Sequence, residues 1–476
     1  MKFVFRNDIL NQALIYQSLS EKNLNFYSHK LYNTSPINQL MRRCIASQKN
    51  LQFNALRQSL SEYFLQVDDL RHQNKLNHKL HNCLMAGFAM MFFQDPSLLE
   101  FQRRFEEKSQ FSNLSNVFQV KSVPKDSQLR QTLDNVDSQH LFPIFSDWLH
   151  RLQRGKHLAH YKFLDRYYLV PIDGSQYFSS TKIHCPGCLH TTSKKQTRYY
   201  HQILQAVIVH PDMRQVLPMA PEAVQNTDGA KKQDCEINAG KRLVTNIRRR
   251  HPILPIIITG DGLYSKQPFI DSLKQARMSY ILVAKPNDHK ELFQWVHELD
   301  ALGGSGRLEL TDDKGRIHRY QWVNQVPLNG SKNADDVNFF QYELVNKIKV
   351  TYKNSWVTDM AIDEHSVVDL VKGGRARWKI ENETFNTLKN QGYHIEHNYG
   401  HGRQNLSLNF FLLNLLAFFM HEIFQLTDQL YQVCRRKESA RKEYFALLRH
   451  TFQILIFRNR QHMLEFIHAP PDLYAP

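Results

Sequence analysis

Leu254–Ala284, LPIIITGDGLYSKQPFIDSLKQARMSYILVA, decides the fold. Its opening LPIIIT is an almost unbroken apolar run, the pattern of a central strand covered on both faces. Ser265–Met278 then has helical spacing, and Tyr280–Ala284 is a second short apolar run. Strand, helix, strand in so short a span marks an α/β unit. Asp261 stands directly after the first strand, before Gly262, where a small residue lets the backbone turn and a ligand approach.

Upstream, three more strands are expected at Tyr168–Asp173 (YLVPID), Gln202–His210 (QILQAVIVH) and Gln215–Met219. Lys231–Arg250 follows as a helix, with Cys235, Ala239, Leu243 and Ile247 on one stripe and a strongly basic opposite face. Three strands, helix, strand, helix, strand make a mixed α/β sheet. Asp173 ends its strand before Gly174, as Asp261 does before Gly262. Ligands of α/β sheets gather beyond strand ends. A spatial order 3-2-1-4-5 would set the first strand beside the fourth, and Asp173 beside Asp261.

Downstream, 307–311, 318–326, 338–345 and 350–358 read as antiparallel strands, with turns at Asp313-Lys314-Gly315 and Asn329-Gly330. They form a β-rich insertion. Arg375–Asn390 then has helical period. Trp378, Phe385 and Leu388 share a stripe, and Glu381 lies within about 60° of all three, whereas Glu383 points roughly 200° away. Glu381 is thus a carboxylate on the buried or cleft-lining side, with Arg377 and Lys389 on about the same side. Such a charge needs a partner, because burying it unpaired costs several kcal/mol. Two readings follow: an internal ion pair with Arg377 in a core helix, or a catalytic acid flanked by cations. Three converging carboxylates cannot all ionise without a cation. Oxygen-only donors suit Mg²⁺ or Mn²⁺, and two such ions about 4 Å apart serve phosphodiester chemistry.

The net charge is +16, from 61 Lys and Arg against 45 Asp and Glu, which points to a polyanionic partner. Six cysteines in 476 residues do not make a disulfide scaffold. The opening MKFVFRNDIL sets Asn7 and Asp8 where a secretory leader needs an apolar run, so a reducing cytoplasmic, nucleoid-associated setting is expected. Leu406–Phe424 is apolar but carries Asn409, Asn414, His421 and Glu422. It reads as a buried core helix, and no membrane partner is expected.

IDGSQYF around Asp173, ITGDGLYS around Asp261 and RWKIENETFNTLK around Glu381 resemble bacterial insertion-sequence transposases of the DDE class. The resemblance runs from about Tyr167 to Phe424. In many relatives the third motif is a Tyr, then Arg, Glu and Lys at fixed spacing. Arg377 and Glu381 match it, Gly374 stands in place of the Tyr, and Lys389 falls one place late. The resemblance implies a ribonuclease-H-like mixed sheet, interrupted by the β-rich insertion. It implies Asp173, Asp261 and Glu381 as catalytic ligands of two Mg²⁺ or Mn²⁺ ions, and Arg377 and Lys389 as DNA contacts. The partner is then double-stranded DNA, both element ends and target. The ends are cut by water and the freed 3′-hydroxyls joined to target by a homodimer or larger assembly. A non-catalytic DNA-binding relative, a nuclease without strand transfer, and a zinc hydrolase are the competing readings.

The expected organisation is a helical, DNA-binding N-terminal region (1–150), the first part of the catalytic domain (160–300), the insertion (301–362), the remainder with the Glu381 helix (363–430) and a basic helical tail (431–476). Asp126 or Ser127 is the expected cap of a helix over QLRQTLDNV. Arg248–Arg250 and the tail's basic run read as solvated faces that also meet DNA backbone. Cys185 and Cys188 in HCPGCLH are half a zinc site, which Cys235, His201 or His190 could complete. The alternatives are a structural zinc and, the favoured one, a reduced loop without metal. His394, His397 and His401 read as part of a packed loop after the Glu381 helix, with metal or phosphate binding the lesser alternative.

Overall fold

The computed structural model describes residues 49–71, 76–193, 196–225 and 234–470. The expectations for residues 1–48, and for the Lys231 end of the basic helix, lie outside that range. Helices come first: α1 Phe53–Leu65, α2 Leu80–Phe93, α3 Leu98–Glu106, α4 Lys108–Phe118, α5 Asp126–Asp134 and α6 Phe142–Arg154. α2, LHNCLMAGFAMMFF, is apolar all round and buried almost end to end, so it forms the centre of this layer. Ser97 caps α3 by accepting from the Glu100 N–H at 3.1 Å. At α5 the cap position falls to Lys125, and Asp126 is the first helical residue.

The sheet begins with β1 Lys162–Phe163, β2 Tyr167–Ser180, β3 Leu189–Ser193, β4 Gln196–Ile208, β5 Leu217–Pro218 and β6 Glu222–Val224. α7 Glu236–Arg250, β7 Ile256–Gly260, α8 Gln267–Gln275, β8 Ser279–Val283 and α9 Lys290–Ala301 follow. β9 Gly306–Thr311, β10 Ile317–Pro327, β11 Asp336–Asn346 and β12 Lys349–Thr358 complete it. The spatial order is β3-β4-β2-β7-β8-β12-β11-β10-β9, with β5 and β6 on β4. β2, β7 and β8 are parallel to one another, and the other pairings are antiparallel. All of β7 is buried, as its apolar run requires.

β2 runs on past Asp173 to Ser180, where Asp173 was expected to end it. The continuation pairs antiparallel with β4, Gly174 to Leu204 through Ser180 to Tyr199, while its parallel neighbour β7 stops at Gly260. The β-rich segment does not stand apart. β12 pairs with β8 from Trp356–Val283 to Thr358–Ile281, covering an edge that would otherwise present unpaired backbone groups.

α10 Val367–Arg375 packs on β8, β10 and β11. It does not continue smoothly: Ala376 and Arg377 form a turn, Ile380–Phe385 winds as a π-helix, and α11 Asn386–Asn390 resumes the α-form. α12 Leu406–Thr427, α13 Gln429–Arg436, α14 Arg441–Ile454 and α15 Arg460–His468 close the chain. α12 is long and apolar enough to cross a membrane, yet 89% of that window is buried inside the protein, packed on α2 and α5. Its polar residues have protein partners. Asn409 donates to the Leu133 and Val136 carbonyls, Asn414 to that of Tyr393, His421 Nδ1 meets the Tyr393 hydroxyl, and Glu422 pairs with Arg441 at 2.6 Å. Each would cost about 1–3 kcal/mol if left unpaired.

The basic runs are solvated only in part: Arg249, Arg436 and Lys442 are exposed, but others are drawn into the protein. Arg441 is spent on Glu422, and Lys437 donates to the Ile467 and His468 carbonyls. Arg248 donates to the carbonyls of Ala276, His251, Pro252, Leu254 and Arg277, tying α7 to the loops before β7 and β8.

Candidate active site

The β2–β7 register carries Asp173 and Asp261 to the same end of two adjacent parallel strands. Tyr168 of β2 lies opposite Ile256 of β7, and Pro171 opposite Thr259. Two residues further on, the same alignment sets Asp173 level with Asp261. Asp261 follows the last residue of β7, and its Oδ1 accepts from the Leu263 N–H at 2.9 Å, which fixes the carboxylate at the mouth of the turn. Asp173 Oδ1 accepts from the Gly174 N–H at 2.9 Å.

Glu381 joins through Arg377. Arg377 Nη1 lies 3.3 Å from Asp173 Oδ2 and 3.1 Å from Glu381 Oε1, and the residue is only 7% exposed. The internal ion pair expected of the Glu381 helix is present, and its second acid is Asp173. The Asp173 side chain is 22% exposed and that of Glu381 38%, so the pair opens to solvent. Burial pushes the Asp173 carboxyl up to about 7; the Arg377 guanidinium opposes the rise, and the charges of Glu381 and Glu236 add to it. Crowded oxygens sharing one cation are a donor set suited to a divalent ion.

The helical count put Trp378 on the apolar stripe of Phe385 and Leu388. It is 48% exposed, with Arg377 stacked on its ring at 4.7 Å. The π-turn explains the error, since it breaks the 3.6-residue phase that put Trp378 on the stripe of Phe385 and Leu388. Lys389, expected on the side of Glu381, pairs with Glu396 of the following loop at 2.9 Å.

Glu236 and Lys285 escaped the sequence reading. Glu236 opens α7, accepting from Gln202 Nε2 at 2.7 Å and from the Tyr264 hydroxyl at 2.6 Å. It bridges β4 to the turn that carries Asp261. Gly174 leaves room for this pair: a Cβ there would push Glu236 Oε2 and Gln202 Nε2 aside. An acid in a helix's first turn is ordinary, so the only signal was its place before a strand ending in an acid. Lys285 follows β8, exposed, with its aliphatic stem 3.6 Å from where a Gly262 Cβ would be.

A second cluster lies further along the same strands. Cys185 and Cys188, in the loop between β2 and β3, are joined by His201 of β4 and His401 of the loop before α12; one ligand atom from each lies within 4.8 Å of all the others. Of the residues expected to complete the CxxC pair, His201 does so. Cys235 is instead the exposed residue preceding α7, and His190 lies tilted against the Tyr199 ring. His394 and His397 stay outside the cluster.

The family described as "Transposase DDE domain" matches residues 179–420, half of the chain, and the chain belongs to that family. The match takes in Asp261, Glu381 and the thiol–imidazole cluster, and begins just beyond Asp173. Among solved structures, the cryo-EM structure of the piggyBac transposase synaptic complex with hairpin DNA aligns at 10% identity, with a TM-score of 0.38, over 92% of this chain and 84% of that one. That overlap is too loose to equate the folds. No curated protein matches the chain in sequence.

Proposed function

We propose that the protein is the transposase of a bacterial insertion sequence, and that Asp173, Asp261 and Glu381 are its catalytic acids. This reading is supported by membership of the DDE family, by Arg377 pairing with both Asp173 and Glu381, and by a β2–β7 register that, carried on two residues, would set Asp261 level with Asp173. We read the strand order β5-β4-β2-β7-β8 as a ribonuclease-H-like core, with β9–β12 inserted before the third acid.

The donors fit a divalent cation. They are all oxygens and partly open to solvent, and burial raises the Asp173 carboxyl, with the charges of Glu381 and Glu236 adding to the rise. Two Mg²⁺ or Mn²⁺ ions held by the three acids would supply an activated nucleophilic oxygen and a stabilised leaving oxygen in phosphodiester cleavage. Asp173 and Asp261 act from adjacent strands of a rigid sheet. Arg377 neutralises Asp173 and Glu381 in the metal-free protein and is placed beside any DNA phosphate that reaches them. Lys285 and Lys389 supply further positive charge for the DNA backbone. The element is bound and joined by at least a dimer, in the cytoplasm at the nucleoid.

The test is to incubate linear DNA carrying the element's ends with wild type and Glu381→Gln, in Mg²⁺ or EDTA. End cleavage plus joined products, lost in EDTA and in the variant, is the expected result. Cleavage retained by Glu381→Gln overturns the assignment of the third acid. Cleavage without joined products would make the protein a nuclease.

A further inference from the structure

The thiol–imidazole cluster has the dimensions of a filled metal site. Cys185 Sγ and Cys188 Sγ are 3.8 Å apart; His201 Nε2 is 3.5 Å from each sulfur; His401 Nε2 is 3.7 Å from Cys188 Sγ. A tetrahedral ion with bonds of about 2.3 Å to sulfur and about 2.0 Å to nitrogen requires edges of about 3.8 Å between sulfurs and about 3.5 Å between sulfur and nitrogen. The observed spacings match both. A disulfide is excluded at that separation, since its sulfurs would lie about 2.05 Å apart.

The chain is built to bring these atoms together. The Cys188 N–H donates to the Cys185 carbonyl at 3.1 Å, and the Cys185 N–H points back to Cys188 Sγ, which closes a tight turn with both sulfurs on one side. His201 sits opposite Phe178 in the β2–β4 ladder, aimed at that turn. His401 lies between Gly400 at φ 144° and Gly402 at φ 70°, conformations that L side chains rarely adopt. Asp134 then pins the loop by accepting from the N–H groups of Arg403, Gln404, Asn405 and Leu406. Cys188, His201 and His401 are all buried, and His401 Nδ1 has no hydrogen-bond partner. Burying the His401 imidazole against the sulfurs with its Nδ1 unpartnered is costly, and an ion bound at its Nε2 offsets part of that cost.

We propose that Cys185, Cys188, His201 and His401 bind one Zn²⁺ as a closed structural site that ties the β2–β4 hairpin to the loop beyond the Glu381 helix. Two thiolates and two imidazoles select zinc over Mg²⁺ or Mn²⁺. Four protein ligands leave no open position for water, so the site holds structure and does no chemistry. Its mechanical consequence follows from where it sits. β2 carries Asp173 and leads into the CxxC turn, and the loop holding His401 continues from the segment that carries Glu381. The ion fixes one acid-bearing element against the other. The inference stands on the ligand geometry and is independent of the transposase reading.

The test is metal analysis of the full chain purified from zinc-supplemented cells. One zinc per chain is expected. Replacement by Co²⁺ should give the intense visible absorption of a tetrahedral two-thiolate site. Cys185→Ser combined with Cys188→Ser should lose the ion, as should His401→Ala, while His401→Cys keeps it because it restores a fourth ligand. Should the cysteine variants fail to fold, a mercurial added to wild type in the presence of a zinc-sensitive dye must release one zinc per chain and lower the melting temperature. Wild type free of zinc, or zinc retained in the double cysteine variant, overturns the proposal.

Discussion

The β2–β4 pair carries two clusters of opposite character. Near Asp173 the donors are carboxylates, partly open to solvent, with an arginine between two of them. A few residues further along, where Phe178 faces His201, the donors are thiols and imidazoles, largely buried, four in number and mutually in reach. The first cluster has hard donors and room for a substrate; the second has soft donors and no free position. One rigid hairpin can thus separate a working site from a structural one by donor chemistry and exposure alone, and the two should respond to different perturbations.

The sharpest way to break that contrast is to remove an acid. Asp261→Asn or Glu381→Gln should cut DNA cleavage by about 10³-fold or more. Zinc content and melting temperature should stay at wild-type values. A zinc loss in either variant would show that the clusters are one unit.

Arg441→Ala leaves both clusters intact but strands Glu422, whose side chain is 2% exposed. Breaking a buried pair in this way costs about 3–5 kcal/mol, and urea denaturation should show it as a lower midpoint in both metal-free and metal-loaded protein.

Asp95 repeats the acid–arginine pairing in a sealed place: it is 1% exposed and lies 3.2 Å from Arg104. Burial raises its carboxyl to about 6 against the opposing charges of Arg104 and Arg449. Because the folded value lies above the unfolded value of about 3.9, the neutral acid's contribution is full below that pH and is lost as pH rises through about 6. The loss is at most about 3 kcal/mol. Asp95→Asn should flatten the pH dependence of the melting temperature over that window, with or without Mg²⁺.

The smallest expected effect is at Arg377. Arg377→Ala should cost about 1–2 kcal/mol in metal-free buffer, where it leaves two carboxylates without their cation, and less in saturating Mg²⁺. Equal losses in the two buffers would mean that no ion takes over its role.

The adjacency of the strands leading to Asp173 and Asp261 was legible in the sequence because both are apolar runs that had to be neighbouring buried strands. The Arg377–Glu381 ion pair was legible from their four-residue spacing. The continuation of β2 was not, because GSQYFSS lacks a sustained apolar signal and is held as a strand by β4. Trp378 was misplaced because a π-turn leaves no mark on a 3.6-residue count. His401 stands 213 residues from Cys188, and only the packed fold brings them together.

The most direct measurement is an anomalous difference map from crystals of the protein soaked in Mn²⁺. The account predicts density bounded by the carboxylates of Asp173, Asp261 and Glu381, with Arg377 no longer bridging two of them. Density elsewhere, with Arg377 still between Asp173 and Glu381 at saturating Mn²⁺, would contradict it.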